Sequence, residues 1–213
     1  MSVVDVRQGR LVPNQTVVTR GERIAAVGRD DDVVVPANAT RLDGRGRFVM
    51  PALWDMHAHV YAVSPLTDLS LYIAYGVTNV RDMQGCPAPG DPFIACYDDK
   101  RRWSREADTG TRVGPRIVEA SSLAAVTTPV EYAGVGDRFG DVAPPRIADL
   151  VVLTRNPLAD IRNTQAIELV LFNGRLYDAP AIERIKRQVL SNARSWSVGS
   201  KMIWRFLWNP ANY

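Results

Sequence analysis

The chain has 213 residues, 46% apolar and 23% charged, with a formal net charge of +3. Those proportions are ordinary for a globular protein. Acidic and basic residues are interspersed, which argues against a nucleic-acid footprint, and no run approaches the roughly 18 apolar residues of a membrane span.

The opening, Met1-Ser2-Val3-Val4-Asp5-Val6-Arg7, lacks a cationic start followed by an apolar core, so no signal peptide and a cytoplasmic location are expected. Residues 1–50 read as short strands, among them Val17-Val18, Ile24 to Val27 and Val33 to Val35, punctuated by Gly21, Gly28 and Asp30-Asp31-Asp32. The aspartate run reads as a solvated turn, because the glycine and glutamate of a calcium loop are missing.

A longer apolar run, Phe48 to Met56, predicts a buried strand that leads into His57 and His59. Side chains two apart on a strand point the same way, so both imidazoles can project together and hold one metal ion. They are the only histidines in the chain. A helix is predicted over Pro65 to Tyr75, with Leu66, Leu69 and Ile73 at helical spacing, then a strand over Val77 to Arg81. Asp91 to Arg112 reads as loop plus helix, with Lys100-Arg101-Arg102 as a solvated face. Cys86 and Cys96, ten apart, read as ordinary thiols and lack the spacing of a structural zinc site. Arg116 to Ala120 reads as a third strand.

Residues 146–178 return to β, through Asp149 to Leu153 and through Leu169 to Leu176 with its Asn173-Gly174 hairpin signal. In the tail, 179–213, Ile182, Ile185 and Val189 fall at helical spacing among Arg184, Lys186 and Arg187. Trp196, Trp204, Phe206 and Trp208 follow, with Gly199 and Pro210 as interruptions. A basic aromatic helix can lie on a membrane surface or in a partner's groove. The expectation is a helix packed on the body of the protein, without membrane contact.

Several segments together resemble the amidohydrolase superfamily, closest to its imidazolonepropionase-like and dipeptidase-like branch. Phe48 to Val60, with both histidines, resembles the first barrel strand; Tyr75 to Met83 resembles the second. Thr16 to Gly28, Leu42 to Arg47, Ala148 to Leu158 and Val170 to Arg175 resemble the small domain and its turns. The match covers about residues 1–178, with Ala52 where that family usually has glycine. The resemblance implies a TIM-type barrel, a divalent metal (zinc first), and hydrolysis of C–N bonds in small amides or dipeptides. It maps His57 and His59 onto the first pair of metal ligands. Nothing maps onto the family's bridging lysine or glutamate, its two further histidines or its late aspartate. Of the candidates nearby, Asp55 is expected to serve structurally and Asp82 to form a salt bridge or cap.

Length explains the gap. A full barrel takes about 250 residues and a βα unit roughly 30, whereas Pro51 to Pro145 holds 95, room for three units. Ala124 to Tyr132 resembles the helix after the last barrel strand, so the junction at Leu123 and Ala124 reads as an internal deletion. The expected fold is therefore α/β: a truncated (β/α) barrel over 51–145, a composite β-sandwich from 1–50 plus 146–178, and a basic helical tail over 179–213. Two functional readings stay open. One is an amidohydrolase with weak or no activity, its catalytic set incomplete. The other is a non-catalytic remnant that binds or assembles. A homo-oligomer in which two chains each supply the histidine pair is a third arrangement that symmetry allows.

Overall fold

The computed structural model describes residues 1–84, 93–119, 138–195 and 200. The junction at Leu123 and Ala124, Cys86 and the tail aromatics from Trp196 onward lie outside them. Two compact units form, one from the described parts of Met1–Ala52 and Thr127–Pro180, the other from those of Leu53–Val126 and Ala181–Tyr213.

The first unit carries strands β1 (Ser2–Asp5), β2 (Arg10–Val12), β3 (Gln15–Arg20), β4 (Arg23–Arg29) and β5 (Phe48–Pro51). Numbered in chain order, β9 (Leu150–Leu153), β10 (Ile167–Phe172) and β11 (Arg175–Asp178) complete it. Six of these make one sheet in the order β11-β10-β9-β5-β1-β2, so strands from distant stretches of sequence share it. The strand β5 is the seam, parallel to β1 (Val3 opposite Val49) and antiparallel to β9 (Val49 opposite Val152). Val49 packs with Val3, Ile24, Ala148 and Leu150 in a buried cluster. The hairpin β3–β4 is fastened by backbone bonds from Ile24 N to Arg146 O (2.9 Å) and from Ala148 N to Glu22 O (2.8 Å).

The Asn173-Gly174 turn is present between β10 and β11, with φ of 50° and 72° at the two residues. Positive φ at both central positions is what a two-residue type I′ hairpin requires. The buried Asp149 stabilises it by accepting from Asn173 N at 3.2 Å. Gly174 also lets another backbone approach: a Cβ there would stand 3.0 Å from Gly21 O.

The apolar run Phe48 to Met56 is two strands rather than one. The chain leaves the first sheet after Pro51 and enters another at Leu53, with β6 spanning Leu53–Ala58. Ala52 N still donates to Asp149 O, while Leu53 N donates to Gly76 O, so the change of partner falls between adjacent residues. Leu53 is exposed and Trp54 and Met56 are half-buried, whereas β5 buries Val49 and Pro51, so apolar residues continue through the change and hide the break from a sequence reading.

In the second unit, β6, β7 (Val77–Asp82) and β8 (Arg116–Glu119) form a parallel sheet in that order. Parallel neighbours need a crossover between them. The first contains α1 (Ser64–Thr67) and α2 (Leu69–Ala74), the second α3 (Tyr97–Thr109). The helix expected over Pro65 to Tyr75 is thus broken at Asp68, whose backbone (φ −132°) is not helical. Its carboxylate accepts from Thr67 Oγ1 at 2.6 Å. Ala58, Val60, Leu69, Val80, Ala95, Trp103 and Ile117 form this unit's core. The helix α4 (Ala179–Arg194) buries Ile182 and Val189. Its Asn192 Nδ2 donates to Leu66 O at 2.9 Å and Lys186 Nζ lies 5.3 Å from the Tyr75 ring centre, so this part of the tail packs on the α1–α2 segment. Among the described residues no helix is long and apolar enough to cross a membrane.

Two expectations are corrected. Lys100 is not on a solvated face: it is fully buried and ion-paired with the equally buried Asp82. Lys100, Trp103 and Ala107 share the buried side of α3 at i, i+3 and i+7, while Arg101 and Arg102 face water. Cys96, at the start of α3, is disulfide-bonded and is not an ordinary thiol.

Removing one partner of a buried ion pair leaves the other charge uncompensated, at about 3–5 kcal/mol. Lys100→Met is therefore expected to lower unfolding free energy by about that amount in urea titration, and the double variant with Asp82→Leu to recover part of the loss. Gly174→Ala meets both a positive φ and a backbone oxygen, and is expected to destabilise by about 1–2 kcal/mol, read as a lower urea midpoint at unchanged slope.

Candidate metal site

In parallel α/β sheets, ligands gather at the carboxyl ends of the strands. Here the carboxyl ends of β6 and β7 meet, with Ala58 opposite Asp82. The pairing register shifts between Asp55 and Ala58, which disturbs the ladder just before the histidines. A bulge of this kind leaves a backbone donor without a strand partner and re-aims side chains. Asp55 supplies the missing acceptor: its Oδ1 takes the His57 backbone N–H at 3.0 Å.

His57 and His59 are exposed and converge. Their Nε2 atoms are 3.3 Å apart, with ring centres 5.3 Å apart and planes tilted by 40°. Two zinc–nitrogen bonds of about 2.0–2.1 Å at a tetrahedral angle place their nitrogens about 3.3–3.4 Å apart. The pair thus presents one edge of such a coordination shell.

Behind the pair lies a buried polar framework. Asp82 Oδ1 accepts from Val60 N at 2.9 Å and from Gln84 N at 3.4 Å, while its other oxygen meets Lys100. Lys100 Nζ also donates to Gln84 O at 2.7 Å, and Gln84 Oε1 lies 3.1 Å from His59 Nδ1. Asp82 is therefore both the salt-bridge and the capping residue expected of it, and Asp55 serves the backbone as expected. Lys100 and Gln84 were not anticipated. The buried-face spacing of Lys100 with Trp103 and Ala107 was a readable signal; a lone glutamine after a strand carries none. Among the described residues, no group of three or more His, Cys, Asp or Glu is placed to hold a metal ion.

Tyr72 packs against the core of this unit. Burial, then the nearby carboxylates of Asp55, Asp68 and Asp82, push its phenol up to about 12. Cavities of about 270 and 580 Å³ are lined only by residues of the first unit.

No family model matches the chain. It is 33% identical over 96 residues to an adenine deaminase of Rubrobacter xylanophilus, a match covering 39% of this chain. It spans only 16% of that relative's length. Among solved structures, a Bifidobacterium longum protein proposed to be a prolidase superposes with TM-score 0.68 at 13% identity, over 90% of this chain and 97% of the other. A Xaa-Pro dipeptidase with bound methionine in its active site gives 0.62 at 10% identity, over 84% and 98%. The chain shares the fold of these two structures.

The raised phenol gives a pH prediction with a definite sign. Unfolded tyrosine ionises near 10, whereas Tyr72 in the folded chain holds its proton to about 12. Its contribution to stability is complete below pH ~10 and is lost as pH rises towards ~12. Tyr72→Phe should flatten the fall of the urea midpoint across that window, measured against the parent chain.

Proposed function

We propose that this chain is a shortened amidohydrolase that keeps the first pair of metal ligands, His57 and His59, and has weak or no hydrolytic turnover. The observation that carries the reading is the 3.3 Å approach of the two Nε2 atoms, which suits two nitrogens sharing one divalent cation. The donor chemistry fits zinc, since imidazole is among its preferred ligands. A bound zinc ion would lower the pKa of a coordinated water and polarise a carbonyl. His57 and His59 would hold that ion, with Asp55 fixing the His57 backbone and Gln84 the His59 ring.

Catalytic zinc usually has three protein ligands and a water. The chain has only two histidines, and among the described residues no third carboxylate or thiol joins them. That shortfall supports weak binding and little catalysis. If turnover occurs, small amides or dipeptides are the substrate class, consistent with relatives named as a deaminase and a dipeptidase. In domain terms, the reading takes 1–50 with 146–178 as the composite β domain, 51–145 as the remnant of a (β/α) barrel, and 179–213 as a tail whose described part is helical over Ala179–Arg194. Self-association through sheet edges is the oligomeric form this reading allows.

Metal content of the purified full chain, with hydrolysis of an amide and dipeptide panel, tests the reading against His57→Ala. The expected result is zinc bound by the parent and at least tenfold weaker binding in the variant, with hydrolysis near background in both. Turnover lost a thousandfold in His57→Ala would establish a working enzyme instead. A parent that binds no zinc would overturn the metal assignment.

A further inference from the structure

We propose that Gln84 selects the tautomer of His59, and so decides which of its nitrogens is free to bind. The proposal rests on the metal reading for its purpose, but its geometry stands independently. A carboxamide oxygen can only accept. Gln84 Oε1 faces His59 Nδ1 at 3.1 Å, so Nδ1 carries the hydrogen and Nε2 keeps its lone pair. That lone pair faces His57 Nε2 at 3.3 Å, which makes His57 the donor across this contact in the metal-free chain. The two imidazoles therefore rest in opposite tautomers, His59 protonated on Nδ1 and His57 on Nε2.

The backbone of Gln84 is held in place by atoms that do not touch the imidazoles. Gln84 O accepts from Lys100 Nζ at 2.7 Å and Gln84 N donates to Asp82 Oδ1 at 3.4 Å. Asp82 also accepts from Val60 N at 2.9 Å, the residue next to His59. One buried carboxylate thus fixes the backbone on both sides of the Gln84–His59 bond. Outer partners of this kind set ring orientation in metal sites, and their loss typically weakens binding about 10–100-fold. Gln84 is a positioning residue: it acts on the ion through His59.

The chain's having two histidines makes the test direct. In the ¹⁵N-labelled full chain, held above the ordinary imidazole pKa of about 6.5, protonated and bare ring nitrogens have distinct ¹⁵N shifts. His57→Ala assigns the remaining ring. The expected parent spectrum shows His59 protonated on Nδ1. Gln84→Ala should release that preference and weaken zinc binding about tenfold or more. Gln84→Glu, which keeps an acceptor at the same reach, should restore the tautomer. A parent with Nδ1 bare, or a Gln84→Ala chain with His59 unchanged, would overturn the proposal. A Gln84-dependent tautomer in a parent that binds no zinc would uphold it and sink only the metal reading.

Discussion

The buried pair of Asp82 and Lys100 organises the second unit. It sits in the layer between sheet and helix, beside a core that includes Val80, Trp103 and Ile117, where neither charge reaches water. Removing two ions from water costs several kcal/mol each, and attraction at short range offsets that only when the remaining polar capacity is also used. Here it is used. One carboxylate oxygen accepts from Val60 N and Gln84 N, and the ammonium also donates to Gln84 O. A hydrophobic pair could hold α3 against β7 as firmly. It could not also fix the two backbone segments that flank the candidate ligands, so the pair's contribution is placement as much as stability.

That placement bears on what the site can do. His59 lies between two elements anchored to the same carboxylate, and His57 is steadied by Asp55 through its backbone N–H. The result is a prearranged pair at the end of a parallel strand. Prearrangement alone does not make a hydrolase. Moving protons needs a general base near the reacting atoms, and the carboxylate beside the pair, Asp55, is engaged by the His57 backbone N–H.

Much of this was readable from the chain. The alternation ending in His57 and His59 identifies the strand and its tip, and Asn173-Gly174 identifies the hairpin, because both signals are local and backbone-determined. What escaped depends on contacts distant in sequence. The division of Phe48 to Met56 between two sheets is invisible because both halves are apolar. The break at Asp68 is a local departure of the backbone that helical periodicity does not register. The charge run places Lys100 in water with its arginine neighbours, although its spacing to Trp103 and Ala107 places it inward; a buried lysine is only sensible once Asp82 is known to face it. Gln84 has no signature at all, since its role follows from where the end of β7 delivers it.

The central claim is that the chain presents two imidazoles, and little else, to one ion. X-ray absorption at the zinc edge on the loaded full chain reads this directly. The account predicts two imidazole nitrogens at about 2.0–2.1 Å with the remaining positions filled by oxygen from solvent. A shell containing thiolate sulfur or a single imidazole, or a spectrum unchanged by His59→Ala, would contradict it.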